Sequence, residues 1–158
     1  IKMFTVIRKI LRLSFVFGLF YSNLFSAEYD DIIKKIYSNR ALDSIEGIWI
    51  KTFANQGPPG CVTMFYKENN KYYQVHIDNC FVMGKVTGKH TKISTNQYQG
   101  ENAVYFYNGA INWEPSAITI ATDLKTFSIT HGSNNFSFKE DWKRIWPENI
   151  KNYNNSIK

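Results

Sequence analysis

From Ser44 onward, apolar and polar residues alternate with a period of two. They do so in short runs separated by breaks rich in Gly, Pro and Asn, the pattern of antiparallel strands joined by turns. The first run, Ser44 to Phe53, holds Gly47 and Trp49 two residues apart and therefore on one strand face. Glycine lets the backbone bend or pack closely at one end of a barrel, and the indole plugs that end. Residues 55–60, Asn-Gln-Gly-Pro-Pro-Gly, are a loop. Two runs, Cys61 to Lys67 and Tyr72 to Cys80, then form a hairpin. With its turn centred on Asn70-Lys71, Cys61 stands opposite Cys80, Met64 opposite Ile77, and Tyr66 opposite Val75. This register turns Met64, Tyr66, Val75 and Ile77 inward. It sends Thr63, Phe65, His76 and Asp78 to the outer face.

Further strands are expected over Phe81 to Val86, with Gly84 and Gly88 marking a bulge or bend, over Lys92 to Tyr98, and over Asn102 to Tyr107 before an Asn108-Gly109 turn. Trp113-Glu114-Pro115 falls in a loop or at an edge. Ala117 to Ala121 and Thr126 to Thr130 make a second hairpin around Asp123-Leu124, with Ile120 against Phe127 and Ile118 against Ile129. In the last strand, Asn135 to Trp146, the residues Phe136, Phe138, Trp142 and Arg144 share a face on which Glu140 is the other charge. Pro147 ends that strand, and residues 148–158 form a flexible tail. The sum is an all-β domain over residues 44–147, a barrel or a sandwich. A short helix and lead-in over residues 28–43 precede it, with an apolar stripe of Ile32, Ile33, Ile36 and Tyr37 that packs on the mouth or rim.

Composition adds a destination. Residues 1–27 carry Lys2, Arg8, Lys9 and Arg12 and no acid, then an apolar stretch, then Ser26-Ala27. That is the layout of a secretory signal peptide, with an uncleaved anchor over residues 10–26 as the alternative. The expected location is secreted or periplasmic, with the membrane met only through this segment. The chain's formal charge of +6 is mostly the leader's: the other 15 basic residues face 13 acidic ones. A near-neutral body lacks the basic footprint of a nucleic-acid binder. Two cysteines in an exported chain read as a disulfide, Cys61 to Cys80, closing a loop of about 20 residues; a redox or metal-binding pair is the alternative.

Gly47-x-Trp49 after a short helix, a string of antiparallel strands and a basic residue in the closing strand together resemble the lipocalin and fatty-acid-binding (calycin) superfamily. The resemblance implies an up-and-down barrel of about eight or nine strands. It implies that Trp49 packs inside one end and that Arg144, with Lys143 second, crosses over it. A guanidinium suits that place, because it stacks on an indole and donates to loop carbonyls. The implied function is binding of a small, mostly apolar ligand lined by Met64, Tyr66, Val75, Ile77, Phe136 and Phe138. The alternative is an envelope, polysaccharide- or protein-binding module using surface aromatics such as Trp113 and Trp146.

Catalytic and metal chemistry find little footing. His76, His90 and His131 are widely spaced and fit no zinc motif, and neither a Gly-x-Ser-x-Gly elbow nor a phosphate loop is present. Glu140 and Asp141 point to opposite strand faces and make no acid–base dyad. No enzyme activity, cofactor or metal is expected; only a deep pocket gathering His76, Asp78 and other polar groups would reopen the question.

Overall fold

Eight strands close into one antiparallel barrel in sequence order: β1 Gly47–Ala54, β2 Val62–Glu68, β3 Lys71–Asp78, β4 Val86–Ser94, β5 Gln97–Tyr105, β6 Ile111–Ile120, β7 Thr126–Ser133 and β8 Phe136–Trp146, with β8 pairing back to β1. This computed structural model describes residues 29–133 and 136–157. The leader over residues 1–27 lies outside them. A helix over residues 29–37, α1, belongs to a unit ending at Ser38, and the barrel belongs to the unit from Asn39 onward.

The up-and-down order puts alternate connections at opposite ends. The β1–β2, β3–β4, β5–β6 and β7–β8 connections lie at one end. The lead-in to β1 and the β2–β3, β4–β5 and β6–β7 turns lie at the other. The apolar core sits at the lead-in end, where Ile45, Trp49, Phe65, Tyr72, Tyr98, Ile118, Phe127, Ile129 and Trp142 pack together. Their rings meet edge to face or stacked: Trp49 and Phe127 at 4.8 Å, Phe127 and Trp142 at 5.8 Å.

Several expectations are corrected. The β2–β3 turn is Asn69-Asn70, both at positive φ, so Thr63 pairs with His76 and Met64 with Val75, two residues from the expected register. A two-residue loop of left-handed asparagines matches the twist of a hairpin better than a turn through Lys71. A two-residue shift leaves the faces grouped as before, but the inward one is reversed. Phe65 and Tyr72 join the core, whereas Met64, Tyr66 and Ile77 are half-buried on the outer face, Tyr66 stacking on Tyr73 at 5.6 Å.

Residues 81–85 are a loop, held where His76 Nδ1 donates to Val82 O and Gly84 N donates to His76 O. The single weak strand expected over Lys92 to Tyr98 is instead the end of β4, a turn at Thr95-Asn96 and the start of β5. Trp113-Glu114-Pro115, expected in a loop or at an edge, is strand within β6 and has an edge's one-sided pairing. Pro115 is tolerated there because β6 pairs with β7 only from Ser116 onward, leaving that stretch one hydrogen-bonded neighbour. The expected flexible tail holds a helix, α2, over Ile150–Ser156. Asn149 caps it, and Asn154 exchanges hydrogen bonds of 2.8 and 2.9 Å with the backbone of Leu42. The β6–β7 pairs Ile120–Phe127 and Ile118–Ile129 are as expected.

Candidate functional site

At the closed end, Gly47 and Trp49 lead β1 beneath the end of β8, where Trp49 pairs with Arg144. The guanidinium lies over the indole, 3.9 Å from its centroid. Its Nε donates to Leu124 O at 2.7 Å, one terminal nitrogen to Glu46 O at 2.8 Å and the other to Ser44 O. Trp49 Nε1 donates to Ile45 O at 2.8 Å. One planar cation thus ties the lead-in, the β6–β7 turn and the core indole together. Lys143, the second candidate, is exposed.

The lead-in is fixed by two carboxylates that the sequence reading did not single out. Fully buried Glu46 accepts from Arg40, from Asp43 N and from Lys67 N. Asp43 accepts from Lys67, Lys92 and the Tyr72 hydroxyl. Burial works to raise its pKa, but those hydrogen bonds outweigh it and hold the carboxyl at about 2.

Above the core, the barrel interior turns polar. Lys51 and Glu140 form an ion pair at 3.1 Å, each side chain 12% exposed, and Trp142 Nε1 donates to the other Glu140 oxygen at 3.1 Å. His76, Asn102 and His131 join this pair in lining a chamber of about 170 Å³. His76 donates from Nδ1 to a carbonyl, so its neutral ring presents Nε2 as an acceptor. Burial pushes His76 down to about 4 against the raising influence of Glu140, and burial lowers His131 as well. Asn102 Nδ2 donates to Gln74 Oε1 at 3.0 Å, while its Oδ1 and the His131 Nδ1 are buried without a hydrogen-bond partner.

Deeper still, His90 Nε2 lies 2.8 Å from Ser116 Oγ. Asn102 stands near enough to favour the ring's protonated form, though neither His90 Nδ1 nor the amide oxygen meets hydrogen-bond geometry; burial nonetheless holds His90 at about 4. A serine beside a histidine resembles a nucleophile and its base. Here His90 is 1% and Ser116 6% exposed, and so weak a base suits a polar core contact better than catalysis.

The chamber opens upward into an apolar mouth of about 380 Å³ at the opposite end from the Trp49 plug, walled by Pro58, Phe81, Val104, Phe106, Phe136 and Phe138. Phe81, Val104, Tyr105 and Phe138 border both spaces. Of the six residues expected to line a ligand, Phe136 and Phe138 are here, 4.8 Å apart and edge to face. Met64, Tyr66, Val75 and Ile77 border neither space. The deep polar group does include His76, but joined by Lys51, Asn102, His131 and Glu140, with no part for Asp78.

At the rim, Cys61 and Cys80 are joined in a disulfide across β2 and the end of β3. Among the described residues one metal-like group occurs, Cys61, His76 and Cys80, and its two sulfurs are committed to each other. Trp113 lies on the outer face under the Lys89 ammonium, and Trp146 packs on Tyr153.

No family model matches this chain, and no curated protein matches it by sequence. A solved structure matches its fold: protein HP1028 from the human pathogen Helicobacter pylori, described as belonging to the lipocalin family. The two are 16% identical with a TM-score of 0.53, over 70% of this chain and 89% of that one. The likeness is one of fold, and with the closed eight-strand order it makes this a lipocalin-like barrel.

Proposed function

We propose that this lipocalin-like barrel is an exported binding protein that holds one small, mostly apolar molecule in its mouth and does no chemistry on it. The observation that carries this reading is the apolar mouth of about 380 Å³ walled by Phe81, Val104, Phe136 and Phe138, above a plugged floor. That volume falls in the ordinary range for small-ligand sites, and one closed end with one open end is the shape of a container. Export is supported by the basic, apolar and small-residue order of residues 1–27 and by the disulfide.

The test is fluorescence titration with the uncharged apolar probe N-phenyl-1-naphthylamine. Saturable binding at one site per chain is expected. Val104→Trp, which fills a wall shared by mouth and chamber, should weaken it about tenfold. Absence of saturable binding by the folded protein overturns the reading. Recovery of the protein with its leader still attached, by N-terminal sequencing of cell fractions, overturns cleavage and release.

A further inference from the structure

Exposed apolar side chains gather at the open end of the barrel. Phe81 and Met83 stand on the β3–β4 connection, Phe106 and Tyr107 on the β5–β6 connection, Ile111 at the start of β6 and Phe136 at the start of β8. Each is 40% or more exposed, and Tyr107 is wholly so. At the closed end, Ile93 is the corresponding side chain among the described residues. Scattered singly, such residues need no explanation; ringed around one opening, they mark a surface that meets something apolar.

Charge divides the two ends the other way. The open-end connections over residues 55–61, 79–85 and 106–110 carry one charged residue, Lys85. Their remaining polar side chains are the amides of Asn55, Gln56, Asn79 and Asn108. At the closed end, the lead-in and the β6–β7 turn carry Arg40, Asp43, Glu46, Asp123 and Lys125. A rim of Phe, Met, Tyr and amides can enter the interface of a bilayer without stripping water from a charge.

We propose that the open end docks on a lipid bilayer, with Phe81, Met83, Phe106 and Tyr107 seated below the headgroups. This would be a contact with the membrane separate from that of the leader. Two observations favour a bilayer over a protein partner. The apolar rim is continuous with the mouth, because Phe81, Phe106, Tyr107 and Phe136 are both exposed and in the wall of that space of about 380 Å³. A rigid partner laid on the ring would span a hole at its centre, whereas fluid acyl chains fill it. The uncharged loops also offer a protein no ion pairs to fix orientation, and hydrocarbon requires none. Docking stands on the rim alone and does not need the mouth to be occupied. To the container reading it adds where an apolar molecule enters: from the acyl chains, without crossing water.

The experiment uses the full chain carrying Phe81→Trp at the rim or, as a control for tethering by the leader, Ile93→Trp at the closed end. Each is mixed with vesicles of phosphatidylcholine whose acyl chains are brominated, which quenches indoles that reach them. Zwitterionic lipid keeps the basic residues of the leader from contributing an attraction of their own. Quenching of the introduced indole in Phe81→Trp, and not in Ile93→Trp, is the expected result. Equal quenching in both, or none in Phe81→Trp, overturns the proposal. Adding Met83→Ser and Tyr107→Ser to Phe81→Trp should raise the lipid concentration at half-quenching at least about tenfold. An unchanged value overturns it as well. Wild-type dimers in sedimentation velocity, lost with Met83→Ser and Tyr107→Ser, in the absence of quenching would assign the rim to a second copy instead. Binding of N-phenyl-1-naphthylamine reads the container separately, so either idea can fail without the other.

Discussion

Arg144 joins segments that the chain keeps far apart. Its three donors reach carbonyls of Ser44, Glu46 and Leu124, and its plane covers Trp49. Truncation to alanine leaves buried carbonyls without donors and an indole face without cover. Arg144→Ala should cost about 3 kcal/mol in urea unfolding, and Arg144→Lys about 2, because an ammonium keeps the charge but cannot serve three diverging acceptors. A lysine variant as stable as the wild type would show that charge alone holds the plug. Gly47 is as tightly placed: at φ +126° a Cβ would come within 2.2 Å of Trp146 O. Gly47→Ala should therefore destabilise by at least about 2 kcal/mol, measured the same way. Both residues were legible in the sequence, because a glycine and an indole two apart and a cation in the closing strand are local signals. The Asn102 amide and the His131 ring were not, because what marks them is an absent partner, which only the assembled barrel reveals.

Among the elements, the β2–β3 hairpin shows how a correct strand assignment can yield the wrong face. Its outer positions, Val62 at 1% and Val75 at 8% exposed, are nearly as buried as the inner ones, Phe65 and Tyr72. With apolar residues on both faces, alternation no longer says which side is in, and Met64, Tyr66 and Ile77 were assigned inward on that ambiguous pattern. The cysteines are safer guides, since a register shift between Val62 and Thr63, at the cysteine end of the pair, takes up part of the difference and Cys61 still meets Cys80. Their bond spans 19 residues and restricts the unfolded chain. The double variant Cys61→Ala, Cys80→Ala should lose about 3 kcal/mol in denaturant unfolding while keeping its far-ultraviolet circular dichroism. A loss under about 1 kcal/mol would mean that the ladder of hydrogen bonds alone sets the hairpin. Helix α2 is not legible in the sequence because Asn152, Asn154, Asn155 and Ser156 are poor helix formers in a seven-residue segment. Its order comes from the Asn149 cap and from the Asn154–Leu42 pair, contacts with a distant segment.

For the molecule as a whole, stacking an apolar floor, a polar chamber and an apolar mouth has a consequence in acid. His90 is buried and His76 half-buried, and both are held as neutral rings with pKa values of about 4, against an ordinary 6.5. Between about pH 6.5 and 4 the unfolded chain takes up protons that the folded barrel refuses, so stability falls as pH falls through that window. Below it the Asp43 carboxylate takes over. Its folded pKa is about 2, beneath the ordinary 3.8, so the stability it contributes is full above about pH 4 and is lost as pH falls towards 2. Denaturant midpoints should therefore drop in two stages, first from pH 7 to 5 and then from pH 4 to 2. His76→Gln with His90→Gln should shrink the first stage, leaving the part that His131 contributes, and spare the second. Asp43→Asn should lower stability at pH 7, because three donors lose their carboxylate, and should remove the second stage. A midpoint unchanged between pH 7 and 5 in the wild type would mean that the barrel interior is wet enough to let its imidazoles protonate in place.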